Sequence, residues 1–206
     1  DGSVGTLAGS TSGFADGKGS AARFNAPEGL ATDSKGNVFV ADTKNNRVRK
    51  VAADGTVATI AGVAAAGFVE GPAASARFNS PRAVAVNGKG EVFVADTGNK
   101  RVRRVGLDGQ VMTVIGGTAA GPTTGPGPAL NISAATLLAD EAGRLFFLDT
   151  LSYQLLRADL PKKTCSDGNL CTDDSCDGET GACKHKASGD GQTCGATLVC
   201  TGGACT

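Results

Sequence analysis

The chain has 206 residues, and its 20 lysines and arginines balance its 20 aspartates and glutamates, so the formal net charge is zero. A zero net charge gives no reason to expect nucleic acid or an acidic membrane as the partner. No apolar run approaches the roughly 18 residues that a membrane helix needs. The 31 glycines and the few aromatic residues are typical of short strands joined by tight turns.

Two copies of one unit lie 54 residues apart, so that Phe14 recurs as Phe68 and Arg23 as Arg77. Neither copy has helical periodicity, and each has four strand-like segments. Four strands in about 50 residues, repeated, is the pattern of β-propeller blades. In chain order, the strands are predicted around Leu30 or Val84, from Val38 or Val92, over 47–51 or 101–105, and over 57–62 or 111–116.

The second and third strands of each copy differ in pattern. The second strand is apolar at consecutive positions, as expected where both faces of a sheet are covered. The third strand alternates arginine with valine, which predicts that its charges lie on the solvated side of an outer strand.

Both ends of this repeated region are incomplete. Arg144–Leu160 forms a degenerate third copy that has three strand patterns and no Asp-Gly turn leading to a fourth. Asp1–Gly9 matches residues 54–62, so it is predicted to be a fourth strand without its own first three. The two ends are complementary. We expect them to pair only if the sheets close into a ring or if two chains meet.

The segments APEGLATDSKGNVFVADTKNNRVRKV and SPRAVAVNGKGEVFVADTGNKRVRRV resemble the NHL repeat. The resemblance covers residues 1–160 and weakens over 137–158, where Gln154 and Leu155 replace arginine and valine. It implies an all-β fold of about three four-stranded propeller blades, part of a six-bladed ring. We therefore expect half a ring, either a piece of a longer protein or one that a second copy completes.

Residues 161–206 form a second predicted domain, which contains all seven cysteines. Dense cysteine in a short polar segment favours disulfides in an oxidising compartment. Zinc is the alternative, although the segment has no CxxC pair. The segment resembles the slime-mould-type cysteine repeat, which implies a secreted or cell-surface protein. The first four cysteines should form two disulfides, and the fourth of a second unit would fall beyond Thr206. The seven candidates are Cys165, Cys171, Cys176, Cys183, Cys194, Cys200 and Cys205.

The loops between second and third strands should emerge on the same face as the linkers between blades. Loops on a rigid scaffold are where binding usually occurs. Tyr153, the single tyrosine, lies where the third copy departs from the repeat, either as an exposed interface residue or as a half-buried packing residue. The candidate binding residues are Lys44, Asn45, Asn46, Asn99, Lys100, Ser152, Tyr153 and Gln154.

Positions repeated in every copy are interpreted as structural, because every blade needs them. A buried aspartate could accept N–H groups of a turn or pair with an arginine of a neighbouring blade. The candidates for this structural role are Asp42, Arg47, Asp96, Arg101 and Asp149.

The expected function is extracellular recognition of a protein or glycan by the loop face, without enzymatic activity. An enzyme needs a base, a nucleophile or a metal cluster, and the one histidine, His185, lies among the cysteines. The alternative is a propeller lyase or lactonase-like hydrolase with its catalytic residues in further blades. No cofactor is expected. Calcium is the remaining candidate, and its ligands would come from Asp167, Asn169, Asp173, Asp174 and Asp177.

Overall fold

The computed structural model describes residues 2–117, 130–140 and 143–160, and the backbone of four short strands beyond them. Contacts divide the chain into two compact units, Asp1–Leu160 and Pro161–Thr206. In the described residues the helical segments are 3₁₀ turns of three residues. None of the described helical segments is long and apolar enough to cross a membrane.

Blade 1 is an antiparallel sheet whose strands lie in the order β1-β5-β4-β3-β2. The four main strands follow one another through tight turns, and the short β1 adds to the outer edge. All four predicted strands are present. Their bounds are β1 Gly17–Lys18, β2 Pro27–Thr32, β3 Val38–Asp42, β4 Arg47–Val51 and β5 Thr56–Ala61.

Blade 2 repeats this arrangement, with strands in the order β6-β10-β9-β8-β7. Its register matches that of blade 1: Asp96 lies opposite Arg101 as Asp42 lies opposite Arg47. The strand bounds are β6 Gly71–Pro72, β7 Ala83–Val86, β8 Val92–Asp96, β9 Arg101–Val105 and β10 Gln110–Gly116.

Blade 3 has three antiparallel strands, in the order β11-β12-β13. They are β11 Ala134–Ala139, β12 Arg144–Asp149 and β13 Gln154–Asp159. No strand within the described part of the chain pairs with the outer edge of β13. The all-β fold and the propeller-type blades that the repeats predicted are therefore confirmed.

The core lies between successive blades, because the sheet of blade 2 buries one face against blade 1 and the other against blade 3. Phe39 and Val48 of blade 1 pack with Phe78 and Val84 of blade 2 in one apolar cluster. Strands β2 and β7 approach closely at Gly29. A Cβ atom there would lie 2.5 Å from the carbonyl oxygen of Arg82. A second cluster joins blades 2 and 3. The prediction that both faces of the second strands are covered is confirmed for β8, whose five residues are all buried. In β3, Val38 and Val40 are half-buried.

Residues 2–9 run outside every sheet, although their sequence matches the fourth strand of a blade. The Gly9 amide donates to the Gly19 carbonyl at 3.0 Å, just as the Gly62 amide donates to the Ala73 carbonyl at 2.9 Å. Gly9 therefore occupies the place that Gly62 occupies at the end of β5. Among the strands that the structure describes, none pairs with residues 2–9.

The cysteine-rich unit contains two short hairpins, described by their backbone alone. Strand β14, Thr172–Cys176, pairs with β15, Cys183–Ala187, and this register sets Cys176 opposite Cys183. Strand β16, Cys200–Thr201, pairs with β17, Ala204–Cys205. The predicted disulfides concern side chains outside the described structure, and they stay a prediction.

Candidate functional site

The candidate site is the face on which the linkers and the loops between second and third strands of each blade emerge. We call it the linker face. It is formed by the turns 43–46, 97–100 and 150–153 and by the linkers 10–26 and 63–80. Each linker folds back on itself through an isolated bridge, Ala15 with Arg23 in the first and Val69 with Arg77 in the second.

Arg49 fastens the first linker to blade 1. Its side chain is fully buried and forms ion pairs with Asp42 at 2.8 Å and Asp16 at 2.6 Å. The same guanidinium donates to the carbonyl oxygens of Ala15, at 2.6 Å, and Arg23, at 3.1 Å. One side chain thus binds both halves of the folded linker, because a guanidinium has five donors in a planar fork.

Arg103 has the same place in blade 2 but fewer partners. It donates to the carbonyls of Val69 and Arg77, at 2.6 and 2.5 Å, and lies 3.4 Å from Asp96. The residue that corresponds to Asp16 is Glu70, whose carboxylate accepts the Thr113 amide instead. Burial lowers the pKa of Arg103 and raises the pKa of the Asp96 carboxyl. This second pair is the less stabilised one.

Aromatic rings complete both clusters. The Arg47 guanidinium lies 3.9 Å from the centroid of the Phe14 ring, and Arg101 lies 3.9 Å from that of Phe68. Arginine over an aromatic face is attracted by the quadrupole of the ring, whose face carries partial negative charge. The repeated phenylalanines of the linkers therefore bind to the blades through arginine.

The prediction that the arginines of the third strands face solvent is wrong for Arg49 and Arg103, which are fully buried. The strands alternate as predicted, but the side that carries these arginines is covered by the linker. Asp42 and Asp96 pair with these arginines of their own blades. The sequence offered one signal for this burial. Both linkers carry a Phe-x-Asp/Glu pattern, whose acidic residue lies 33 positions before the buried arginine.

Asparagine side chains of the loops form hydrogen bonds to the linkers. The Asn45 side chain donates to the Gly13 carbonyl and to Asp42, both at 2.8 Å. Asn99 does the same with Gly67 and Asp96. The aspartates also accept the backbone amides of Asn25 and Asn79. These hydrogen bonds shape the linker face.

The left-handed turn position differs from blade to blade. Asn46 is nearly buried, and its side chain binds the Ala64 carbonyl and the Ser80 amide of the next linker. Lys100 is half-buried and Lys44 is exposed. All three turn residues, Asn46, Lys100 and Tyr153, have φ between 53° and 59°.

The loop of blade 3 is stabilised by hydrogen bonds to Asp149 of the same blade. Asp149 accepts hydrogen bonds from the Ser133 amide at 2.6 Å and from the Ser152 hydroxyl at 2.6 Å. Burial alone would raise the pKa of the Asp149 carboxyl, but bonds from Ser152, Ser133 and Leu151 hold it below its ordinary value. Leu156 lies where the earlier blades have the buried arginine, so this aspartate stays ionised without one.

Tyr153 projects from this loop and is 94% exposed. Gln154 beside it is also exposed, and Ser152 is half-buried. Tyr153 was expected to be either exposed or a half-buried packing residue, and in the structure it is exposed. The proposed calcium ligands lie outside the described side chains. Among the described residues, no group of three or more histidine, cysteine, aspartate or glutamate side chains could hold a metal ion.

Comparison with known families identifies the repeats. The NHL repeat matches residues 24–51 and 78–105, and the Dictyostelium (slime mold) repeat matches residues 164–187. Among curated proteins, the chain is 30% identical over 104 residues to Protein SUPPRESSOR OF QUENCHING 1, chloroplastic, of Arabidopsis thaliana. That match covers 48% of this chain and 10% of the Arabidopsis protein.

Solved structures share the fold. A structural genomics protein from Bacteroides thetaiotaomicron matches with a TM-score of 0.56 and 22% identity, over 64% of this chain and 34% of that one. An auxiliary nutrient binding protein from the same organism matches with a TM-score of 0.55 and 16% identity, over 68% and 38%. The chain thus spans about a third of the length of these propeller proteins.

Proposed function

We propose, from the premise that this chain carries NHL repeats and folds as propeller blades, that it is an extracellular binding module. Its linker face recognises a protein or a glycan, and the cysteine-rich unit serves as a spacer or an attachment segment. The observation that carries this proposal is the loop of blade 3, which breaks the repeat and exposes its one tyrosine.

The contrast between the blades supports this assignment. In blades 1 and 2, the amides of Asn45, Asn46 and Asn99 are used to hold linkers. In blade 3, Tyr153 and Gln154 have side chains that extend into solvent. An exposed tyrosine offers a large contact area with a hydroxyl group, and it loses little side-chain entropy on binding. Tyr153 is therefore the first candidate for the centre of an interface.

The test replaces Tyr153 with alanine and, separately, residues 152–154 with the Asn-Asn-Arg of blade 1. Arrays of glycans and of secreted proteins first identify a ligand, whose affinity is then measured by surface plasmon resonance. We expect Tyr153→Ala to weaken binding at least about 30-fold, as central aromatic residues of interfaces do. Folding should not change, because blade 1 already accommodates the Asn-Asn-Arg loop.

The matched control is Leu107→Ala. Leu107 is 67% exposed and lies in the turn between β9 and β10, on the opposite face. Its replacement should leave the affinity unchanged. Equal binding by the wild type and both loop variants would remove this loop from the site. Turnover of a lactone or another small substrate by the chain would favour the enzyme alternative instead.

A further inference from the structure

We propose that the cleft between blades 1 and 2, on the face opposite the linker face, binds a small organic molecule through an anionic group, a carboxylate or a sulfate. The cleft is bordered by the turns 33–37 and 87–91, which join the first and second main strands of the two blades. We call it the lysine cleft. The inference is independent of what the linker face binds, because the two surfaces lie at opposite ends of the strands.

The lysine cleft has the size and the lining of a small-molecule site. Its volume is about 680 Å³, and ligand sites commonly measure about 300–1,000 Å³. Its floor is apolar, since Phe39, Val92 and Val105 belong to the cluster that joins the two blades. The charged side chains that line it are Lys35, Lys50, Lys89 and Asp33. Three positive charges against one negative charge favour an anionic ligand.

Lys50 extends over the apolar floor of the cleft. It lies directly opposite Phe39 in the register of β3 and β4, and it is half-buried, whereas Lys35 and Lys89 are exposed. Within the described part of the chain, no hydrogen bond or ion pair holds its ammonium group. A half-buried charge without a partner costs solvation free energy, and a bound anion would offset that cost.

Asp33 lines the same cleft but is engaged by its own turn. Its carboxylate accepts the backbone amides of Lys35, at 3.0 Å, and Asn37, at 2.9 Å, and the side-chain amide of Asn37 at 2.7 Å. The pKa of the Asp33 carboxyl is lowered, first by the side-chain hydrogen bond from Asn37 and to a smaller extent by the charge of Lys50. Asp33 therefore stays ionised and stabilises the turn, which leaves Lys50 without a hydrogen-bonded counter-ion.

Blade 2 shows the same position with a complete ion pair. Arg104, the counterpart of Lys50, pairs with Glu91 at 3.0 Å, and the Asn87 side chain donates to the same carboxylate at 2.8 Å. The turn of blade 1 has an acid and an asparagine in the reverse order, with the acid first and the asparagine last. The acid of blade 1 is thus not placed to pair with the third strand, and Lys50 is available to a ligand.

The experiment is isothermal titration calorimetry of the full chain with three probes that share one body: phenyl glucuronide, phenyl glucoside 6-sulfate and the neutral phenyl glucoside. We expect saturable binding of at least one anionic probe at millimolar concentration or below, and none of the neutral one. Lys50→Met should weaken that binding at least about tenfold, because it removes a charge-assisted hydrogen bond in a partly desolvated site. The anionic probe that binds more tightly identifies the group that is recognised.

An exchange variant tests the same charge without removing it. Asp33→Asn combined with Asn37→Glu gives blade 1 the order of residues found in blade 2 and leaves the net charge unchanged. The relocated carboxylate should pair with Lys50 and weaken anion binding at least about tenfold. The matched control is Lys18→Met, because Lys18 lies outside the cleft in an exposed pair with Asp54, which contributes little to stability. It should leave the affinity unchanged.

Circular dichroism should show that all the variants fold as the wild type does. The proposal is overturned if no anionic probe binds at millimolar concentration, or if the neutral probe binds as well as the anionic ones. Equal losses for Lys50→Met and Lys18→Met would also overturn it, because the attraction would then come from the overall charge. Wild-type affinity in a folded exchange variant would exclude Lys50 as the anion-binding group.

Discussion

Replacing Arg49 with methionine is expected to lower the free energy of unfolding of the three-blade unit by about 3–5 kcal/mol. The guanidinium and its partner Asp42 are both fully buried. Without Arg49, the Asp42 carboxylate stays in the interior without a counter-ion, and the carbonyls of Ala15 and Arg23 lose a donor. Removing one member of a buried pair costs more than the pair itself contributes.

Two further variants separate charge from packing. Arg49→Lys keeps the charge but loses the fork, so we expect it to recover little stability. Combining Arg49→Met with Asp42→Asn removes the stranded charge and should recover part of the loss. Urea unfolding followed by circular dichroism measures all three variants. A loss of less than about 1 kcal/mol for Arg49→Met would mean that the linker is held by other contacts.

Arg103→Met is the internal comparison. Arg103 lies farther from its aspartate and has no second carboxylate, so we expect a smaller loss than at Arg49. Equal losses would contradict a stabilising role for Asp16.

Gly62→Ala is expected to destabilise the same unit by about 2–5 kcal/mol, the sum of backbone strain and overpacking. Gly62 has a φ of +96°, and a Cβ atom there would lie 2.5 Å from the Asn46 carbonyl oxygen and 3.0 Å from the Phe78 ring. The neighbours are backbone and a fully buried ring, so neither can move without disturbing the junction between blades.

Gly71→Ala is the control for Gly62→Ala. Gly71 has nearly the same φ, +100°, but a Cβ atom there would meet nothing within 4 Å. Its replacement should cost only the backbone term, about 1–3 kcal/mol. Urea unfolding gives the free energy of unfolding of each variant. The difference between the two values then measures the cost of the close approach at Gly62. If both variants unfold at the same denaturant concentration, the contact with Asn46 is not restrictive.

The repeat made the strands predictable, because strand periodicity and turn glycines recur at matching positions in two copies. The departure of the third copy at Tyr153 was visible for the same reason. The partners of Asp42 were not predictable in the same way. Arg47 lies opposite Asp42 in the register. The ion pair with Asp42 is formed instead by Arg49, two residues further along β4 on the same face. Arg47 stacks on Phe14 instead, and Phe14 is brought there by the fold of the linker.

The roles of the loop asparagines needed the structure as well. Nothing in the sequence separates Asn45, which holds Gly13, from an asparagine that waits for a ligand. Likewise, the match between residues 1–9 and a fourth strand was detectable, but a strand forms only where a partner edge is present.

The lone tyrosine has a consequence for spectroscopy. The chain has no tryptophan and one tyrosine, and that tyrosine is almost fully exposed on the linker face. Tyrosine emission of this protein therefore comes from a single surface position. It should change little when the blades unfold and respond directly when a ligand covers blade 3. Iodination of the phenol ring would label that one surface and no other tyrosine, so the protein carries its own reporter for occupancy of the proposed site.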